Sequence, residues 1–302
     1  MMQPISGTTQ LLGLIGDPVG HSLSPAMHNA ALAALGENYC YVPFPVAPNQ
    51  LATAVAGLAA IGVQGFNVTI PHKQAILPFL LQVDPRAAAV GAVNTVYRLP
   101  GGGWAGTNTD IDGFLQPLLG LNLQGIPALI LGCGGAARAV IQGCVELGIQ
   151  PLRVVGRSLD KLAALQHTWP QLQPVVWADL DLYLAHSQLV INTTPIGMKP
   201  GSTSQTGEAH SPLSWEQLRL LPAGAIVYDL IYVPNPTLLL RMAGDLGHTP
   251  ITGLEMLIQQ GAKALSLWLG GKPVPVDVMR QAAQQQLAQL SQDSSHKPPS
   301  RE

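Results

Sequence analysis

Short apolar runs and amphipathic stretches alternate along the whole chain, the pattern of an α/β protein. Leu11–Ile15 is a short apolar run closed by Gly16-Asp17-Pro18, which predicts a buried strand and a turn. Ser24-Pro25 opens a helix over Ala26–Leu35, with Ser24 as N-cap, Pro25 in the first helical position and Gly36 as the stop. Tyr39–Pro43 reads as a strand, Gln50–Leu58 as a helix and Gly65–Ile70 as a third strand. Pro71 then begins a helix reaching about Leu81. Val93–Tyr97 and Gly103–Ala105 read as a strand pair around Pro100-Gly101-Gly102, and Asp110–Leu121 as a helix leading into a second domain.

A new unit begins at Pro127. Ala128–Leu131 is a buried strand, Gly132–Ala137 a glycine-rich turn, Ala136–Leu147 a helix stopped by Gly148, and Leu152–Val155 the next strand. Strand, helix and strand in that order predict a parallel pair with a right-handed crossover. Leu189–Asn192 and Ala225–Tyr228 read as later strands of the same sheet, and Gly253–Leu269 and Asp277–Leu290 as two closing helices. Lys199–His210 is Gly/Ser/Thr-rich and expected to be a mobile loop, and Ser291–Glu302 is polar and expected to be a disordered tail.

Composition narrows the class. A chain of 302 residues suggests about two domains, and an apolar content of 47% suffices for large cores. A net charge of -2 with only 11% charged residues offers nothing for nucleic acid to bind. Cys40, Cys133 and Cys144 lack a CxxC spacing, which speaks against a structural zinc site and a disulfide framework and for a reducing compartment. No basic stretch with an apolar core opens the chain, and no apolar run is long enough to span a bilayer. The expectation is a cytoplasmic protein without membrane or nucleic-acid partners.

Gly132-Cys133-Gly134-Gly135-Ala136-Ala137 fits G-x-G-x-x-A between a strand and a helix, the context a dinucleotide fingerprint needs. The diphosphate would sit on free N–H groups at the helix start; the alternative is a tight turn in an ordinary α/β protein. After the next strand comes Gly156-Arg157-Ser158-Leu159-Asp160-Lys161. An acid at that strand tip would favour NAD, whereas Arg157, Ser158 and Lys161 offer two cations and a hydroxyl to a 2′-phosphate. NADP is the expected cofactor; a solvated basic turn is the bland alternative.

The N-terminal half carries polar clusters at the carboxyl ends of its strands, where open α/β sheets bind ligands. Ser22 and Ser24 precede a helix and suit a carboxylate, although Ser24 could serve only as the N-cap. In Asn67-Val68-Thr69-Ile70-Pro71-His72-Lys73, the expected helix puts Lys73 in its first turn, where the dipole would favour the neutral amine of an acid/base residue. A lysine without a role is the alternative. Asn94-Thr95 and Thr107-Asn108-Thr109-Asp110 follow strands, and Asp110 could bind a substrate hydroxyl and pair with the lysine, or merely cap a helix. His21, His28 and His72 lack ligand spacing and read as structural, so no metal is expected.

Together these motifs resemble the shikimate dehydrogenase family over nearly the whole chain. The resemblance is carried by Ser-Leu-Ser-Pro at 22–25, Asn-Val-Thr-Ile-Pro-His-Lys at 67–73, Gly-Ala-Val-Asn-Thr at 91–95 and Asn-Thr-Asp at 108–110. Tyr228-Asp229-Leu230-Ile231-Tyr232, Gly253-Leu254-Glu255-Met256-Leu257 and Gln259-Gln260-Gly261 agree with it. It implies a two-domain α/β fold: a substrate domain over 1–109, a Rossmann-type NADP domain over 110–252, and C-terminal helices over 253–290 returning to the substrate domain, with 291–302 as tail.

It also implies that Ser22, Ser24 and Tyr232 hold the substrate carboxylate, and that Thr69, Asn94 and Gln260 join Lys73 and Asp110 on the ring hydroxyls. Lys73 would be the acid/base residue and Asp110 its partner. Gly132, Gly134, Gly135 and Ala136 would cradle the NADP diphosphate, Arg157, Ser158 and Lys161 would meet the adenosine side, and Leu230 and Gly253 would lie near the nicotinamide. The implied reaction is the NADPH-dependent reduction of 3-dehydroshikimate. A dual quinate/shikimate dehydrogenase and a non-catalytic metabolite-binding relative are the alternatives, and a homodimer is one option for assembly. One departure stands out: the family commonly has Asn-Arg-Thr where this chain has Gly156-Arg157-Ser158, which removes one contact to the adenosine ribose.

Overall fold

The first apolar run becomes strand β1 (Gln10–Gly16), whose last five residues are buried. The computed structural model describes residues 4–198 and 210–293; the stretch 199–209 and the tail from 294 onward lie outside the described residues. The chain forms two units, one of residues up to Thr109 together with those from Ile258 onward, the other Asp110–Leu257.

In the first unit, β1 lies between parallel neighbours β2 (Tyr39–Pro45) and β3 (Gly65–Val68), with α1 (Ser24–Leu35) and α2 (Leu51–Ala60) as the crossovers. Gly36 ends α1 in the left-handed region, at φ 68°. Beyond β3 come the edge strand β4 (Gln82–Val83), the short helix α3 (Pro85–Val90) and the antiparallel pair β5 (Thr95–Arg98) and β6 (Trp104–Thr107). The sheet order is β2-β1-β3-β5-β6-β4. Register sets Asn67 opposite Thr95, and Thr95 opposite Thr107, so polar residues cluster at one end of the sheet.

The second unit opens with α4 (Thr109–Leu115) and continues through β7 (Ala128–Leu131), α5 (Gly135–Glu146), β8 (Leu152–Gly156), α6 (Leu159–Thr168), β9 (Gln173–Val176), α7 (Leu180–Leu184), β10 (Leu189–Asn192), α8 (Trp215–Arg219), β11 (Ile226–Asp229), α9 (Leu238–Asp245) and β12 (Thr249–Thr252). All its strand pairs are parallel, in the order β12-β11-β10-β7-β8-β9. Counted from β7 this is the 3-2-1-4-5-6 order of a Rossmann sheet, with the switch point between β7 and β10. Leu129, Leu131, Val155, Val190 and Val227 fill a core on one face, and Ile130, Val154, Ile191 and Tyr228 fill one on the other. That division explains why these strands read as unbroken apolar runs. The chain ends with α10 (Gly253–Trp268), whose body belongs to the first unit, and α11 (Val276–Asp293), which packs on α1.

Several local expectations are corrected. No α-helix follows Pro71: His72 N–H donates to Thr69 O, Ile76 N–H to His72 O and Leu77 N–H to Gln74 O, and only a single 3₁₀ turn, Leu77–Phe79, forms. Pro78 has no N–H to continue a helix and disfavours helical geometry in the residue before it. The helix-dipole argument for Lys73 therefore falls. Ser24 is the first residue of α1 rather than its cap; the N-cap is Leu23, and Ser22 Oγ accepts the Ser24 N–H at 3.2 Å. Asp110 likewise sits inside α4, not at its cap, and regular α-helix ends at Leu115 instead of Leu121, followed by a 3₁₀ turn at Gln116–Leu118. The last helix runs to Asp293, beyond the expected end at Leu290. Among the described residues no helix is long and apolar enough to cross a membrane, and no cluster of potential metal ligands forms.

His28 and His72 have structural environments. His72 Nε2 lies 2.6 Å from the Val46 carbonyl. His28 is fully buried in α1, stacked on Tyr41 at 4.2 Å and tilted against Trp268 at 5.6 Å. Desolvation pushes its pKa down to about 3. Below its unfolded value near 6.5, the unfolded chain binds a proton here that the folded one refuses, so the contribution to stability is lost as pH falls. Between pH 7 and pH 5 the loss is about 2 kcal/mol. Urea unfolding at both pH values should show His28→Phe losing less stability than the parent by about that amount. An equal loss in both proteins would rule out His28 as the source.

Candidate functional site

In the second unit, register brings the strand ends flush. Leu131, Asn192, Asp229 and Thr252 are successive partners across β7, β10, β11 and β12, and Leu131 pairs with Val155 in β8. The next residues, Gly132, Gly156, Thr193, Leu230 and Gly253, thus form one layer at the carboxyl edge, spanning the switch point. Four of the expected cofactor positions fall in or beside this layer: Gly132, Arg157, Leu230 and Gly253.

The glycines there differ in purpose. Gly132 has φ 105°, and a Cβ on it would stand 2.8 Å from Thr193 Oγ1 and 3.0 Å from Thr194 Cγ2. Gly253 is buried against the backbone of Leu230, whose carbonyl a Cβ would strike. At Gly134 and Gly135 a Cβ would meet no protein atom within 4 Å, and both residues, with Ala136, are exposed. Bare backbone facing open space at the start of a 12-residue helix, with no side-chain cap on Gly134, fits a diphosphate approaching the N–H groups of α5. Arg157 is exposed just beyond β8 and Lys161 in the first turn of α6, which Ser158 caps, its Oγ accepting the Lys161 N–H at 3.4 Å. That bond uses a lone pair and leaves the hydroxyl proton available as a donor.

Behind the layer lies a buried polar cluster. Asp229 accepts from Asn192 Nδ2 at 2.9 Å, from Ile231 N–H at 3.1 Å and from Thr237 Oγ1 at 2.7 Å, while Asn192 Oδ1 accepts from Thr194 N–H and Oγ1. Burial pushes the Asp229 pKa up to about 6, against the opposing pull of its three donors. The cluster ties the loops after β10 and β11 together and so positions Leu230 and Tyr232. Tyr232 is half-buried, and desolvation raises its pKa.

In the first unit, the strand-end polar residues form one hydrogen-bonded chain. Tyr41 Oη donates to Asn67 Oδ1 at 2.8 Å, and Asn67 Nδ2 reaches the Asn94 carbonyl at 3.2 Å and Thr95 Oγ1 at 3.1 Å. Thr95 and Thr109 hydroxyls lie 2.9 Å apart. Asn94 is the hub: its Oδ1 accepts from Thr109 N–H at 2.7 Å, and its Nδ2 donates to Thr109 Oγ1 at 3.1 Å and Gln260 Oε1 at 3.3 Å. The Val93 N–H donates to the Lys73 carbonyl at 2.8 Å, which fastens the Lys73 backbone next to Asn94 in the chain. Thr69 is anchored by its N–H to Ile15 O, and Gly16 leaves room for its side chain. Lys73, Thr69 and Ser22 are half-buried, Ser24 and Gln260 buried.

The structure thus joins Asn94 to Gln260, 166 positions apart, and Ser22 to Ser24. Asp110 is the second residue of α4, half-buried, directly after the networked Thr109. Of the supporting residues, Asn67, Thr95 and Thr109 belong to the polar clusters of the sequence, and Tyr41 lies outside them. Tyr41 carries no local signal because its partner Asn67 is on β3, two strands across the sheet from β2.

The comparisons with known proteins agree with this arrangement. Residues 14–96 match the shikimate dehydrogenase substrate binding domain, and residues 253–284 the shikimate 5′-dehydrogenase C-terminal domain. The chain is 75% identical to the shikimate dehydrogenase (NADP(+)) of Synechococcus sp. (strain JA-3-3Ab), over 98% of this chain and 100% of that one. Among solved structures, the shikimate dehydrogenase of Aquifex aeolicus is 36% identical with a TM-score of 0.83, over 92% of this chain and 99% of that one. The shikimate 5-dehydrogenase of Thermus thermophilus, solved in complex with NADP(H) and shikimate, is 36% identical with a TM-score of 0.81, over 92% and 100%. The flush Rossmann edge, the networked substrate-type residues and this likeness along almost the entire chain place the protein in the shikimate dehydrogenase family.

Proposed function

We propose that the chain is an NADP-dependent shikimate dehydrogenase that interconverts 3-dehydroshikimate and shikimate in the cytoplasm. The observation that carries this reading is the Asn94 hub with Gln260 and Thr109, a preorganised set of amide and hydroxyl groups suited to a ring bearing several hydroxyls. The likeness to a structure holding NADP(H) and shikimate supports the same assignment.

Ser22, Ser24 and Tyr232 bind the substrate carboxylate, and Thr69, Asn94, Gln260, Lys73 and Asp110 bind the ring oxygens. NADPH, when bound, supplies the hydride. The ketone oxygen gains negative charge during reduction, and the Lys73 ammonium gives it a proton; in the reverse direction the Lys73 amine takes that proton from the hydroxyl. Asp110 accepts a hydrogen bond from the neighbouring ring hydroxyl and fixes its position. A positioned proton donor of this kind contributes about 10²–10⁴-fold in rate. The N–H groups around Gly132, Gly134, Gly135 and Ala136 would hold the cofactor diphosphate, Leu230 and Gly253 would lie near the nicotinamide, and Arg157, Ser158 and Lys161 would hold the 2′-phosphate.

Absorbance at the nicotinamide band, with shikimate or quinate and NADP⁺ or NAD⁺, tests this reading. Shikimate with NADP⁺ should be the best of the four pairs. Equal turnover of quinate would support the dual-specificity alternative, and no turnover of either acid would support a metabolite-binding relative. Arg157→Ala should raise KM for NADP⁺ by about 10–100-fold, the loss of one charge-assisted contact, with little effect on NAD⁺. An equal rise for both cofactors would remove Arg157 from the 2′-phosphate.

A further inference from the structure

Gly156 has no backbone reason to be glycine. It ends β8 in register with Val176 and is not among the glycines with positive φ, so its conformation suits any residue. What crowds a side chain there is chiefly Cys133. A Cβ at 156 would stand 2.7 Å from Cys133 Sγ, 3.2 Å from Cys133 Cβ and 3.1 Å from Leu162 Cδ2. The sulfur contact is the closest and must shift to admit a side chain, and the other two neighbours must also give by a few tenths of an ångström. Cys133 is the middle residue of Gly132-Cys133-Gly134, a free and half-buried thiol. In a Rossmann unit, the side chain near this strand tip is the one that reads the adenosine ribose, commonly an acid that binds the 2′-hydroxyl of NAD.

We propose that Cys133 is a selectivity-determining residue: its thiol fills the place of a ribose-reading side chain at 156 and so leaves the adenosine ribose to Arg157, Ser158 and Lys161. The inference rests on the cofactor site proposed above. Selectivity then comes from positive charge at the 2′ position, with no hydrogen bond from the strand tip. An acid at 156 must displace the sulfur, so the loop residue biases the site toward the 2′-phosphorylated cofactor. Cys133 acts by volume, through its neighbour, and needs no contact of its own with the ligand.

The test is a double-mutant cycle of the parent, Cys133→Ala, Gly156→Asp and the pair, read by cofactor-free melting temperature and by calorimetric Kd for NADP⁺ and NAD⁺. Gly156→Asp alone should lower the melting temperature by about 3–10 °C, the effect of overpacking, and bind both cofactors poorly. With Cys133→Ala present, most of that loss should be recovered, and NAD⁺ should bind at least about 10-fold tighter than in Gly156→Asp alone, the worth of one ribose hydrogen bond to a charged group. Gly156→Ala with and without Cys133→Ala repeats the melting test without new charge, and keeps it decisive if the aspartate variant does not fold. Additive melting shifts in that second cycle would overturn the steric claim. Equal NAD⁺ affinity in Gly156→Asp and the pair would overturn the selectivity claim. A parent that binds neither cofactor while the melting shifts remain coupled would instead count against the cofactor site itself.

Discussion

Lys73→Ala should lower kcat by about 10²–10⁴-fold while KM for shikimate changes by less than about 10-fold. The asymmetry follows from what the ammonium does. The ketone oxygen is weakly basic in the bound substrate and becomes strongly basic as negative charge builds on it, so the interaction with a proton donor grows toward the transition state. The carboxylate and the remaining ring hydroxyls keep their own partners, which is why binding survives. The measurement is steady-state kinetics in both directions, with circular dichroism to show that the variant is folded. Equal loss in kcat/KM and in affinity, with kcat preserved at saturation, would make Lys73 a binding residue only.

The second large effect is expected at Asn94, which is only 3% exposed. Asn94→Ala removes the acceptor of the buried Thr109 N–H and one of the partners of Gln260 Oε1 and Thr109 Oγ1. Leaving a buried group unpaired costs about 1–3 kcal/mol, so with the other lost bonds a total of about 2–5 kcal/mol is expected in urea unfolding. The same change should raise KM for shikimate by about 10–100-fold, because the substituted side chain and the misaligned Gln260 both bear on the ring. A variant with parental stability and KM would show that this network is neither structural nor substrate-binding.

Much of the fold was legible because its signals are local. The inner strands β7, β8, β10 and β11 of the second unit are packed on both faces and read as mainly apolar runs, and Gly132-Cys133-Gly134 marks the first turn after β7. Helix α3 was overlooked although Asp84 caps it, its carboxylate accepting the Arg86 N–H, with Pro85 at its start and Gly91 at its end. Short elements such as β4 and β9 were overlooked for a different reason: their stability comes from neighbouring strands, and Pro174 within β9 argues against a strand in isolation. The helix expected after Pro71 failed because a favourable first position does not supply the later turns, and Pro78 interrupts them.

The site was legible as residue types and not as a network. Lys73, Asp110, Asn94 and Gln260 stand out by motif, but the bonds that align Asn94 connect sheet strands and α10 across 166 positions. The reason the sequence offers for a tuned Lys73, a helix dipole, has no helix to supply it. Gly156 shows the opposite case. From the sequence it is a missing contact, whereas in three dimensions a sulfur atom crowds the place its side chain would take.

A crystal structure of the chain with shikimate and NADP⁺ tests the central claim most directly. The oxygen to be oxidised should lie about 2.6–3.2 Å from Lys73 Nζ, with the Asp110 carboxylate on the adjoining hydroxyl. A ring bound away from Lys73, with that oxygen facing solvent or another side chain, would contradict it.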